Sequence, residues 1–236
     1  MAHIPSGKRI WPTLLSAAAQ AAARGLHKVH DRSADTHAAV ILSRTAFDAY
    51  LHELIVIRNI DRYVRFASGP GSRKRLSRVR WNLVSSTRSS IAGLAKREKK
   101  KYQDIRELTL ESKIQTILLI LVDNHSSALI ADFENSFSPI IQLNWLRNAI
   151  VHHEFGPPSV HLTRMCTLIS TSLHLPALDP HRPWEDLLTH AAVASWACKS
   201  VCGSILALES IGKKRAVHLA TTRDIVASAM SPLTYE

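Results

Sequence analysis

The sequence predicts an all-α helical bundle. Apolar residues recur near the 3.6-residue period through several long segments. Glycine and proline are scarce, 8 and 10 in 236 residues, and gather at breaks between those segments. No stretch alternates apolar and polar residues as a half-buried strand does. With 46% apolar residues the chain can bury a real core, and it is neither disordered nor fibrous. It carries no internal repeat.

Residues 1–11 read as a basic arm and 12–30 as an alanine-rich helix docked outside the core. Together they form an N-terminal extension, 1–34. Asp35 is placed to cap the next helix, 36–66, in which Ile41, Phe47, Leu51, Leu54 and Ile55 recur on one side. The main helical domain is expected over 35–211, with a basic insertion at about 68–103 that opens on the loop Ser68-Gly69-Pro70-Gly71-Ser72. A helix over 104–131 turns Leu108, Ile114, Ile117, Leu118, Leu121 and Val122 inward, and 133–137 is a short connection. Ser138 then caps a helix with Pro139 at its first position. Gly156-Pro157-Pro158 closes it, with the glycine free to turn left-handed. A short helix, 160–173, leads into a proline-rich loop through Pro176, Pro180 and Pro183. The next helix, 184–210, is amphipathic through Leu187, Leu188, Ala191, Cys198, Cys202, Ile205 and Leu208, and ends near Gly212. The tail, 212–236, has one more helical stretch at 221–230.

The net charge is +11 and the pI near 10, which favours a polyanionic partner. Most of the excess lies between Arg58 and Lys101, opposed there only by Asp61 and Glu98. Arg73, Lys74, Arg75, Arg78, Arg80, Lys96, Arg97, Lys99, Lys100 and Lys101 read either as a solvated charged face or as an RNA-binding surface. Trp81, inside that run, reads either as a core residue or as a platform for a base. Three cysteines are too few for a disulfide scaffold, and Cys198 and Cys202, one turn apart, suit free thiols in a reducing compartment. No apolar run is expected to reach the length of a membrane span; the most apolar, 114–122, is interrupted by Gln115 and Thr116. Lys8-Arg9 before Ile10-Trp11 imitates a signal peptide, but Pro12 and Gln20 break the apolar part, so a cytoplasmic location is expected.

One apolar segment holds groups that are costly to bury without partners: Asn144-Trp145-Leu146-Arg147-Asn148-Ala149-Ile150-Val151-His152-His153-Glu154. On a helix Asn148 and His152, four apart, share a face. Arg147 and His152, five apart, diverge by about 140°. A second copy of the helix across a two-fold axis would bring the two groups to one target.

Arg147-Asn148, three residues, then His152 resembles the R-x4–6-H signature of the HEPN superfamily in its short arginine-asparagine-x-x-x-histidine form. The segment 42–55 is similar to that family's first core helix, and the resemblance spans roughly 36–210. It implies an all-α domain and, for many members, a metal-independent ribonuclease active as a homodimer. On that resemblance His152 is the proton-transfer residue, Arg147 the phosphate clamp and Asn148 their polar support. Glu53 and His153 are supporting candidates. The implied product carries a 2′,3′-cyclic phosphate. Histidine suits proton transfer near neutral pH, and arginine's permanently charged fork suits a phosphate. In some members a tyrosine two residues after the histidine is modified by an antitoxin; here Glu154 stands there, which argues against that form of control.

No cofactor or metal is expected. The thirteen histidines show no H-E-x-x-H, Cys198-x3-Cys202 lacks a second pair, and phosphate-loop, dinucleotide and nucleophile-elbow motifs are absent. Two readings follow. One is an endoribonuclease of toxin or defence type, acting on RNA, with a cognate antitoxin or defence partner. The other is a non-catalytic HEPN-like module that binds nucleic acid or protein through the basic region.

Overall fold

The computed structural model describes residues 9–27, 33–57, 109–121, 133–152, 156–210 and 216–233. They are mostly helical and contain no strand. In chain order the helices are α1 (Ile10–His27), α2 (Ser33–Ile57), α3 (Leu110–Leu121), α4 (Phe133–His152), α5 (Ser159–Leu173), α6 (Glu185–Leu188), α7 (Ala191–Glu209) and α8 (Ala216–Met230), followed by a 3-10 turn, Ser231–Leu233. The basic region 58–101, with its ten candidate RNA-binding residues and Trp81, lies outside the described residues, as does His153.

α7 is the axis of the fold. Val193, Ala194, Trp196, Ala197, Cys198, Val201, Cys202, Ile205 and Leu208 are all buried, so it is enclosed on most of its circumference. α1, α2, α4, α5, α6 and α8 all pack on it. Such a helix must be apolar nearly all round. Ala192–Glu209 is accordingly long and apolar enough to cross a membrane by length and composition, with a mean hydropathy of 1.2, and 67% of it is buried within the protein. That corrects the expectation that no segment reaches this length. Lys199 and Glu209 are its two charged residues, too few to lower the average of the apolar remainder below that level.

α1 is not outside the core. Trp11 and Leu15 belong to the main apolar cluster, and α1 lies along α2. Ala18, Ala21 and Ala22 meet Ala39 of α2 and Ala194 and Cys198 of α7 in a second cluster. Small side chains let the three backbones approach closely, so an alanine-rich segment without a bulky stripe can still be core. Asp35 lies within the first turn of α2, not ahead of it, and accepts from Arg24 Nε at 3.2 Å, tying α1 to α2. At the other end of this pair Trp11 packs edge-on against Tyr50, which also stacks with Phe47. The Tyr50 hydroxyl donates to Glu209 Oε1 at 2.8 Å and so fastens α2 to α7.

The described part of α2 buries Phe47, Leu51 and Leu54, and α3 buries Ile114, Ile117 and Leu118, as the periodicity predicts. α4 starts earlier than its punctuation suggests. The expected connection at 133–137 is helical, and Pro139 is interior instead of first. An interior proline loses one backbone bond and crowds the carbonyl four residues back, at about 3 kcal/mol. Phe137 and Ile140, fully buried on either side of it, hold these turns on the core.

The expected helix 184–210 is two helices. α6 ends at Leu188, His190 is extended, and its imidazole accepts from the Ala192 N–H at 3.3 Å to start α7. Leu187 and Leu188 of α6 are buried like the apolar residues of α7, so apolar spacing alone does not mark the break. The three cysteines are free and buried. Burial pushes the Cys198 thiol up to about 11 and the Cys202 thiol up to about 12, so both stay protonated at neutral pH.

Gly156 is required for space, not for a left-handed turn. A Cβ there would overlap Cδ1 of Trp184 and lie 2.7 Å from its Nε1. Gly156→Ala is expected to destabilise the protein by about 1–3 kcal/mol through overpacking, read as a lower urea midpoint. His174, which ends α5, is the one non-glycine residue with positive φ among the described residues, at 52°. Leu175 N–H closes the cap on the Ser170 carbonyl at 2.9 Å. His174→Gly removes the left-handed strain and should stabilise the protein by about 1 kcal/mol, read as a higher urea midpoint.

Candidate functional site

α4 has two unlike sides. Leu143, Leu146, Ala149 and Ile150 are buried against the core, with Gln142 among them. Outside this band stand Asn144, Arg147 and Asn148, partly buried, and Trp145, Val151 and His152, exposed. The inner side is apolar enough to commit the helix to one orientation, so the polar residues are presented outward by default.

Asn144, Asn148 and His152 succeed one another at four-residue steps, a line about 12 Å long at 1.5 Å per residue. Arg147 Nη1 donates to Asn148 Oδ1 at 3.1 Å. That bond draws the guanidinium round the helix toward the face that carries His152. No hydrogen bond or ion pair among the described residues joins Arg147 to His152 themselves. His152 is the last residue of α4 and lies open to solvent.

A second guanidinium reaches the same line. Arg44, on α2, is buried, with its Nε donating to Asn144 Oδ1 at 2.9 Å and its Nη1 2.7 Å from Asp48 Oδ2. The first turn of the polar line is thus pinned from the neighbouring helix. Sequence reasoning passed over Arg44, although the signal was present. An arginine in an apolar helix, with an aspartate four residues on, is a buried cation in need of partners. Asn144, Arg147, Asn148 and His152 thus present one cation, two amides and an imidazole, while Arg44, buried and paired with Asp48, braces them from α2. Fixed donors of that kind suit an anion, and the imidazole adds a group able to move a proton.

Glu53 does not join them. It lies nine residues beyond Arg44 on α2, which turns it about 180° away. Its carboxylate pairs with Arg9 Nε at 3.1 Å. Burial raises its pKa, Arg9 opposes that rise and Glu209 adds to it. Glu53 therefore fastens the start of α1 and does not orient Arg147 or His152.

Beside the polar line Trp145 stacks on His161 of α5, ring centroids 4.4 Å apart and planes 25° from parallel. His161 Nδ1 lies 2.9 Å from Oε1 of the buried Gln142. Burial lowers the His161 pKa, Arg164 lowers it further and Glu111 partly offsets them. A neutral ring donating from Nδ1 satisfies Gln142. A separate groove of about 640 Å³ between α1 and α8 is lined by Thr13, Ser16, Gln20, Asp224 and Ser228 among others, and has no cation or imidazole in its wall. Among the described residues no three His, Cys, Asp or Glu side chains gather at metal-binding range.

Comparison with protein-family models, with curated proteins and with solved structures gave no match.

Removing Asn144 tests the pin. Asn144→Leu strands the buried Arg44 Nε and should cost about 1–3 kcal/mol, whereas Arg44→Met added to it should recover most of the loss. Chemical denaturation of the two variants measures the difference.

Proposed function

We propose that this chain is a metal-independent endoribonuclease of HEPN type, of the toxin or defence class, working as a homodimer on RNA inside the cell. The observation that carries the reading is the arginine-asparagine-x-x-x-histidine motif on the outward face of α4. There Arg147 is held by Asn148 one turn before an exposed His152. The all-helical core and the charge of +11 are in keeping with it.

In the proposed reaction one imidazole takes the proton from a ribose 2′-OH. The 2′-oxygen attacks the adjacent phosphorus. Arg147 holds the charge that grows on the non-bridging oxygens. A second imidazole protonates the departing 5′-oxygen. The products are a 2′,3′-cyclic phosphate and a free 5′-hydroxyl. Each chain offers one His152, so a two-fold pair supplies both base and acid, and it also closes the angular gap between Arg147 and His152.

The second reading, a non-catalytic HEPN-like module binding nucleic acid or a partner protein, draws on the lack of an Arg147–His152 contact within one chain. The two readings part in one assay. In EDTA the parent should cut RNA to cyclic-phosphate ends, and His152→Ala or Arg147→Ala should each slow it at least about 100-fold. Variants that cut as fast as the parent would rule out this mechanism. Salt-sensitive RNA binding that survives His152→Ala, with no cleavage by the parent, would leave the binding module.

A further inference from the structure

We infer that Trp145 is a stacking platform for an unpaired nucleobase of the bound strand, an inference that rests on the reading of α4 as an RNA-cleaving face.

Trp145 is 37% exposed, on a helix whose other large apolar residues are mostly buried. It is not a loose surface ring. His161 covers one side of the indole in a near-parallel stack, and His161 is itself tied to Gln142, which is 1% exposed. The brace runs from the core through Gln142 and His161 to the indole and joins α4 to α5. It orients the ring before any ligand arrives, so less side-chain freedom is lost on binding.

Position gives the platform its use. Trp145 and His152 are seven residues apart, two turns, about 10 Å along the helix and about 20° apart around it. The indole and the imidazole therefore face one side. A strand with its scissile phosphate at His152 runs past Asn148 toward Trp145 and can lay a neighbouring base on the ring. A base paired inside a duplex has no free face to offer, so the platform selects single strands. The surroundings favour a nucleotide over an apolar protein partner. Asn144, Arg147, Asn148 and His152 lie beside Trp145 on α4, and Arg164 lies close enough to His161 to act on its charge.

The test measures affinity in a chain that cannot cut. In a His152→Ala background, fluorescein-labelled single-stranded RNA is titrated against chains that also carry Trp145→Ala, Trp145→Leu or Trp145→Phe. Losing one stacked base should weaken binding about tenfold in the alanine and leucine variants, while phenylalanine keeps most of the affinity. Duplex RNA should show no such dependence. If Trp145→Ala fails to fold, the leucine-against-phenylalanine contrast decides. Equal affinity for all variants, no single-strand binding at all, or a change of oligomeric state on Trp145→Leu would overturn the inference, the last because it would make this face a protein contact. A parent that cuts RNA beside variants of equal affinity sinks the platform alone. A parent that never cuts, with the tenfold loss intact, sinks the nuclease reading alone.

Discussion

The arrangement depends on α7 being buried nearly all round. A helix of that kind cannot stand until its neighbours cover it, so each surrounding helix must turn its apolar side inward. α4 obeys by giving the core Leu143, Leu146, Ala149 and Ile150. Once those four are committed, the directions of Asn144, Arg147, Asn148 and His152 follow from helix geometry. The outward face of α4 is thus a consequence of the core, and its polar groups cost little because they stay near water.

The line on α4 is held from two directions. Arg44 grips Asn144 from α2, and His161 supports Trp145 from α5. Between them Arg147 and Asn148 bind each other. Charged and aromatic groups on one helix rarely keep one geometry unaided, since long side chains give up rotamer freedom to do so. Bracing from α2 and α5 reduces that freedom beforehand, as a site acting on developing charge requires.

What was legible in the sequence was periodic. The all-helical class, the burial of Phe47, Leu51 and Leu54 in α2 and of Ile114, Ile117 and Leu118 in α3, and the bounds of α5 to within one residue follow from apolar spacing and breaks. What was not legible depended on contacts distant in the chain. Pro139 reads as a helix start, yet burial of Phe137 and Ile140 carries the helix through it. Gly156 reads as a cap, yet it is the face of Trp184 that excludes a side chain there. The alanines of α1 read as a peripheral helix because alanine has no stripe to show, and their value is in close approach. The motif triplet was visible as letters. Its brace was not, because Arg44 lies 100 residues from Asn144 and nothing local links them.

The imidazoles near this face bear on how many chains the proposed reaction needs. Transesterification followed by departure of the 5′-oxygen needs one group to take a proton and another to give one. His152 is free to do one of these. On α4 and α5 the other described imidazole, His161, has its Nδ1 engaged with Gln142 and its ring on the Trp145 stack, while His153 lies outside the described residues. Glu53 faces Arg9 on the far side of α2. The proposed homodimer supplies the second proton-handling group as the same residue of a second copy. On that proposal the same symmetry would let Arg147 act beside the His152 of the other chain, as the angle between the two on one helix requires.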